Sequence, residues 1–490
     1  MKTTNGRLTG IVGLVLGILV GSLSSALHAQ PLAWNKEIVN WEAGNGRRIK
    51  AIHYPQGDRP PLKRQDLTAT SEAVKAPSML RSARSMSTID GLSALSLDVD
   101  NPPVDGFVPW IAISVTKERK EELEMEAVVE TSVVGQYPSG VVPERDYMMG
   151  IFDTGASAHV LGYRESQRAR VSGSLLTSNQ STVYGVIGAM DVWISQPLAL
   201  FVDGLGAVDP DTLQADTSQM MGESNVSVIV GDNPFTSPDL ATAIGTPLSV
   251  YFTTSIRNDR IRTVSRDGET YTGPEVRLYD PYDPDIPAYD NVIPLELRPL
   301  GGISVQYTPS LDLDFDIDDW FNGGGDTTSG PASPSVIIGL GSQSLFFVAS
   351  VDLYEGTKVA MDKDRFMLDT GAQVTVIGSR IAARLGLSPA NAEFEVEIQD
   401  VTGEVVMSPG FYVDSIQIPA LGEWLVANQV PVVLLDVFSP EGGTLDGIIG
   451  TNLFVDFNLV LRGGGLFYLD DPALELEPIQ SPIEPNGVTP

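Results

Sequence analysis

The 490-residue sequence predicts a mainly β protein with small helices, built as two tandem units. Three observations carry that prediction. The 48 Gly and 34 Pro suit short strands joined by turns and disfavour coiled coils and helical repeats. From about residue 107 onward, apolar β-type runs recur between Gly, Pro and Asp. An apolar strand ending in Asp-Thr-Gly occurs twice, 216 positions apart.

Taken in chain order, residues 1–29 set Lys2 and Arg7 before an uncharged apolar stretch from Ile11 to Leu27, with small residues up to Ala29. This order predicts a secretory leader cleaved after Ala29, and therefore a secreted or periplasmic protein. Left uncleaved, the leader would be a membrane anchor, the one membrane contact the sequence predicts. The chain has no Cys, so export without disulfides points to a bacterial route.

Residues 30–106 read as a basic pro-segment or a linker. Within them, residues 30–89 hold ten basic and five acidic side chains, whereas residues 90–490 carry a net charge of −39. Over the whole chain, 63 acidic against 31 basic side chains give −32, which repels a phosphate backbone and excludes nucleic acid as an expected partner. Without Cys and with only three His, the sequence offers neither a thiolate nor a multi-histidine metal centre.

The β-type runs of the body include Trp110–Val115, Met190–Val202, Ser344–Val351, Gly410–Ile418 and Val430–Val437. One helix is predicted over Ser379–Leu385, with Ser379 as N-cap, an apolar face of Ile381, Ala382 and Leu385, and Gly386 as the stop. Residues 240–334 read as an irregular acidic insertion. Its alternating Asp312, Asp314, Asp316 and Asp318 admit a calcium-binding strand face as an alternative to a solvated linker, although the acidic residue that closes a helix-loop-helix site is missing. Residues 471–490 read as a disordered tail.

The repeat carries the chemistry. Ile151-Phe152-Asp153-Thr154-Gly155-Ala156 matches Met367-Leu368-Asp369-Thr370-Gly371-Ala372, and the match continues to Gly162 and Gly378. Downstream, Val228–Phe235 is paired with Gly447–Phe454 at an offset of 219, giving each unit an apolar-apolar-Gly element about 80 residues after its Asp. An Asp at the end of an apolar strand, followed by Thr and Gly, sits in a tight turn where backbone N–H groups approach the carboxylate. Two such turns brought together would hold their carboxylates too close for both to ionise, so that one proton serves the pair.

On these residues the chain resembles the aspartic proteases, with two lobes fused as in the pepsin-like enzymes and local motifs nearer the retropepsin-like family. The resemblance covers residues 107–239 and 335–470, and the second copy carries it best, from Phe366–Ile377 through Arg384–Leu387 to Asp446–Gly450. It implies two acid-protease barrels related by a pseudo-two-fold axis in a monomer. It further implies an endopeptidase that needs no cofactor or metal and acts on a peptide or protein substrate. Asp153 and Asp369 would be catalytic, with Thr154, Gly155, Thr370 and Gly371 as supporting turn residues. Tyr184-Gly185 and Thr402-Gly403, 31 and 33 residues beyond their aspartates, would lie in flap hairpins over the substrate. His159 stands where the second copy has Thr375 and reads as a packed or surface residue, not a third catalytic group. The resemblance also offers residues 30–89 a role as a removable basic segment lying over an acidic cleft. The alternative to an enzyme is an inactive protein of this fold that serves in binding, with the Asp-rich insertion holding calcium.

Overall fold

The computed structural model describes residues 92–117, 146–156, 158–184, 189–209, 211–231, 241–299, 345–399, 405–421, 423–437, 445–463 and 471–479, together with strands Glu37–Glu42, Arg48–His53, Met86–Ile89, Glu126–Val128 and Ser132–Gln136 with Tyr137. Residues 1–29, read above as a leader, the Asp-rich run 311–319 and the last eleven residues lie outside these.

The mainly β class holds. Residues 110–244 form an eleven-stranded sheet whose centre runs in the order Val160–Leu161, Ala243–Ile244, Met148–Phe152, Trp110–Lys117 and Leu198–Gly204. Met148–Phe152 and Leu198–Gly204 are buried along their whole length, which explains their apolar character, broken only by Asp203 in the second. Residues 345–449 form most of a twelve-stranded sheet. Within it, Gly447–Ile449 runs parallel to Lys358–Leu368 and antiparallel to Val376–Ile377. The first unit repeats that local pattern, with Ala243–Ile244 parallel to Met148–Phe152 and antiparallel to Val160.

A third sheet of five strands joins Glu269–Tyr279, Thr253–Arg266, Phe457–Arg462, Ala473–Pro478 and Asn291–Pro294 in that order. It corrects two expectations. Much of residues 253–299 is regular strand where an irregular insertion was expected: Thr253–Arg266 and Glu269–Tyr279 pair as a hairpin and Asn291–Pro294 joins the same sheet, while residues 280–290 form turns and bends. Its two-residue turn, Asp267-Gly268, has positive φ at both positions (53° and 83°), the primed geometry that matches the twist of paired strands. The acidic composition of the region concealed that turn signal. Ala473–Pro478, expected in a disordered tail, pairs with Phe457–Arg462 along its full length. Leu474, Glu475 and Leu476 are all buried there, and Glu475 is held by an ion pair with Arg462. Burying a leucine side chain contributes about 2 kcal/mol, so the two leucines outweigh the Pro-rich flanks.

The hairpin tip is tied to the first unit. Arg168 bridges Glu165, at 2.6 and 2.9 Å, and Asp267. Arg266 donates to the Tyr147 carbonyl at 2.7 Å and lies 4.0 Å above the Tyr147 ring. One apolar core runs from Phe107, Ile113 and Phe152 through Phe454, Phe457 and Leu459 to Phe347, Phe366 and Leu368.

The N-terminal segment also contributes strands to the second unit. Leu92–Asp100 runs parallel to Glu423–Leu434, and Arg48–His53 lies antiparallel to Phe394–Gln399. The helix Ser379–Leu385 forms with Ile381, Ala382 and Leu385 buried and Gly386 left-handed at φ 74°. Its N-cap is Gly378 and not Ser379, whose N–H donates to Asp436 Oδ1 at 2.7 Å. The first unit has a helix at the equivalent place, Tyr163–Arg168, which the sequence reading missed. Gly162, the counterpart of Gly378, marks its start, but Ala169 replaces the glycine stop.

Candidate active site

Each candidate aspartate follows a strand whose last residues are buried: Asp153 follows Phe152, and Asp369 follows Leu368. Each carboxylate is held first by its own turn. Gly155 N–H donates to Asp153 Oδ1 at 2.9 Å, and Gly371 and Ala372 N–H donate to Asp369 Oδ1 at 2.8 and 3.1 Å. The two turns then grip each other. Thr154 N–H donates to Thr370 Oγ1 at 3.1 Å, and Thr370 N–H donates to Thr154 Oγ1 at 3.0 Å. Each hydroxyl in turn donates to the carbonyl preceding the opposite Asp, Thr154 to Leu368 and Thr370 to Phe152, both at 2.7 Å.

The glycines are required by the opposing acid. A Cβ on Gly371 would lie 2.5 Å from Asp153 Cγ, and one on Gly155 would lie 2.6 Å from Asp369 Oδ1. Asp369 is consequently held, half-buried, against a second carboxylate. Burial pushes its carboxyl well above the ordinary carboxylate range, the charge of Asp153 pushes it further, and a hydrogen bond between the two acids adds to the effect. The backbone donors of Gly371 and Ala372 oppose this without reversing it.

The element that supports each turn is not the one the sequence reading paired. Asp153 N–H donates to Ile244 O at 2.9 Å and Thr246 N–H to Ala156 O at 2.8 Å; Asp369 N–H donates to Ile449 O at 3.1 Å and Thr451 N–H to Ala372 O at 2.9 Å. The first-unit counterpart of Ile449-Gly450-Thr451 is therefore Ile244-Gly245-Thr246, not the segment ending at Gly231. Ile229–Gly231 instead runs parallel to Val160–Leu161, as Glu423–Leu434 does to Val376–Ile377. Gly245 lies 92 residues after Asp153, and Gly450 lies 81 after Asp369, so a constant offset misplaces the match. The shared Ile-Gly-Thr triplet was the legible signal.

His159 is packed, as expected, and sits in a polar network: Nδ1 accepts from Gly245 N–H at 3.1 Å, and Nε2 meets Glu223 Oε1. In the second unit Thr375 Oγ1 accepts from Gly450 N–H at 3.2 Å and donates to Asn452 Oδ1 at 2.7 Å.

Both expected flap segments fall between the strands of antiparallel hairpins. Tyr184 pairs with Ala189 at the end of Leu176–Tyr184 and Ala189–Ser195, and Gln399 pairs with Val405 between Phe394–Gln399 and Val405–Ala420. Gly185, Thr402 and Gly403 lie outside the described residues.

A family model described as Aspartyl protease matches residues 354–453, which include Asp369, Thr370 and Gly371. No curated protein matches this sequence. Among solved structures the chain is similar to conglutin gamma, a basic 7S globulin from lupine seeds, at 9% identity over 76% of this chain and 96% of that one; the TM-score of 0.27 marks a superposition too loose to bear on the fold. The match and the strand, turn and helix at its centre make this part of the chain an aspartic protease-like domain.

Proposed function

We propose that the protein is an exported aspartic endopeptidase in which two lobes of one chain each supply one acid, Asp153 and Asp369. The observation that carries this reading is the reciprocal bonding of Thr154 and Thr370, which leaves each glycine of the two turns against the other turn's carboxylate. Two carboxyl groups so placed hold one proton between them. Asp369, half-buried and facing Asp153, retains it. Asp153 then acts as general base toward a water, while Asp369 donates its proton to the carbonyl oxygen of the scissile peptide. The tetrahedral adduct collapses as the leaving nitrogen takes a proton from Asp153 and one hydroxyl of the adduct returns its proton to Asp369, which restores the starting pair. Chemistry of this kind passes through no covalent enzyme intermediate. The hairpins carrying Tyr184 and the 400–404 connection are the flaps that would cover an extended peptide.

The test is digestion of an unstructured protein by the full-length chain over a range of pH, with the products mapped by mass spectrometry. Asp153→Asn and Asp369→Asn should each reduce turnover by at least about 10²-fold. An inert wild-type chain, or variants that cleave at the wild-type rate, would refute the reading.

A further inference from the structure

The second unit fixes its supporting peptide with a threonine, and the first uses a histidine at the same place. We infer that His159 is a positioning residue for Asp153, acting through the unprotonated Nδ1 of its ring; the inference rests on the hydrolase reading above for its catalytic consequence.

The path is short. The Ile244–Gly245 peptide is one rigid plane, so its C=O and N–H move together. Its carbonyl accepts the Asp153 N–H at 2.9 Å, and its N–H donates to His159 Nδ1 at 3.1 Å. Whatever fixes the N–H therefore fixes the carbonyl on which the Asp153 backbone hangs. There is little freedom to compensate, because a Cβ on Gly245 would already lie 2.6 Å from the Ala158 carbonyl oxygen. A backbone N–H can only donate, so Nδ1 must be bare and the ring proton must sit on Nε2. Glu223, buried on strand Met221–Val226, faces that Nε2 and selects this tautomer, as a carboxylate does beside an imidazole whose other nitrogen must stay free.

The first unit cannot copy the second unit's solution. There Thr375 is oriented by Asn452, one residue beyond Thr451. The residue one beyond Thr246 is Pro247, which has no side-chain partner to offer. A histidine held from the far side by Glu223 supplies the same acceptor by another route.

Two isosteric variants separate positioning from packing. His159→Asn keeps an acceptor oxygen at the Nδ1 place and gives up the contact with Glu223. His159→Gln keeps an N–H donor at the Nε2 place and gives up the acceptor for Gly245. The expected result is that His159→Gln lowers kcat by about tenfold or more with KM little changed, whereas His159→Asn loses thermal stability but keeps kcat within about threefold. In His159→Gln the Gly245 amide should also exchange with solvent about tenfold faster than in the wild type. If kcat follows thermal stability across the two variants, the role is packing alone and the inference fails.

A measurement on the wild-type chain stands apart from folding of the variants and from activity. Long-range nitrogen–proton spectra of the histidine rings, of which the sequence has only three, should show His159 protonated on Nε2 and bare on Nδ1. A proton on Nδ1 would overturn the inference. A wild-type chain that cleaves nothing would instead refute the hydrolase reading, while the ring spectra and Gly245 exchange still decide the role of His159.

Discussion

Thr154 and Thr370 exchange hydrogen bonds across the chain, each N–H donating to the other's hydroxyl at 3.1 and 3.0 Å. Because each hydroxyl also donates to the carbonyl of the residue before the opposite aspartate, the four bonds form a closed set in which no member can be removed alone. Thr154→Val leaves the Leu368 carbonyl and the Thr370 N–H without their partners in a buried site. It should cost about 2–4 kcal/mol, and Thr370→Val should match it. Thr→Ser at either place retains the hydroxyl and should cost less than about 1 kcal/mol. Urea titrations of the four variants check this, and equal losses for Val and Ser would show that the hydroxyls do not hold the turns together.

The glycines next to these threonines give a sharper prediction. Alanine at Gly155 would place a carbon 2.6 Å from Asp369 Oδ1, and alanine at Gly371 would place one 2.5 Å from Asp153 Cγ. The turns must then separate, which moves the two acids out of register. Gly155→Ala and Gly371→Ala should therefore each cut peptide cleavage by about 10²-fold or more, since reacting groups displaced by about an ångström lose that much. Gly206→Ala is the control: a Cβ there meets nothing within 4 Å, and both activity and melting temperature should hold.

The reach of the sequence is clearest by comparing the two halves of this site. Asp153 and Asp369 were legible because a strand-turn motif of six residues recurs with its Thr and Gly intact. The supporting peptide was not, because two apolar residues and a Gly recur by chance in any β protein. A shared Ile-Gly-Thr at Ile244 and Ile449 had to compete with a false match at a more regular spacing. The helix Ser379–Leu385 was legible from its face and its Gly386 stop. Its counterpart Tyr163–Arg168 lacks that stop and instead buries the charged Glu165, whose Oε2 accepts from Met149 N–H at 2.9 Å. A carboxylate satisfied by a distant backbone group leaves no periodic trace. The hairpin Thr253–Tyr279 was hidden by its charged exposed face, although Asp267-Gly268 named its turn.

The pair's ionisation predicts a direction for the pH dependence of cleavage. Activity requires one proton on the pair, and Asp369 holds it more tightly than an ordinary carboxylic acid because desolvation and the facing Asp153 charge both favour its neutral form. The alkaline limb of the kcat/KM profile, where that proton is lost, should accordingly lie well above the usual carboxylate range, with the acid limb set by the first ionisation of the pair. A profile whose alkaline limb falls near the ordinary aspartate value would mean that the two acids do not share a proton.

A buried acid outside the pair should dominate the pH dependence of stability. Asp203 is the penultimate residue of the fully buried strand Leu198–Gly204, is 6% exposed, and has one carboxylate oxygen with no hydrogen-bond partner among the described residues. Burial pushes its pKa from 3.8 up to about 7, against the N–H groups of Gly204 and Leu278 and the Arg277 charge, while Glu275 pushes the same way as burial. The folded value lies above the unfolded one, so the folded chain binds the extra proton between these two values. The stabilising contribution is complete below about pH 4, falls as pH rises through about 7, and is absent above it. Asp203→Asn cannot ionise and should gain on the wild type across that window, by at most about 4 kcal/mol. Urea titrations at pH 4, 6 and 8 would show the difference between variant and wild type growing in the direction of alkali. A constant difference would mean that Asp203 does not titrate in this window.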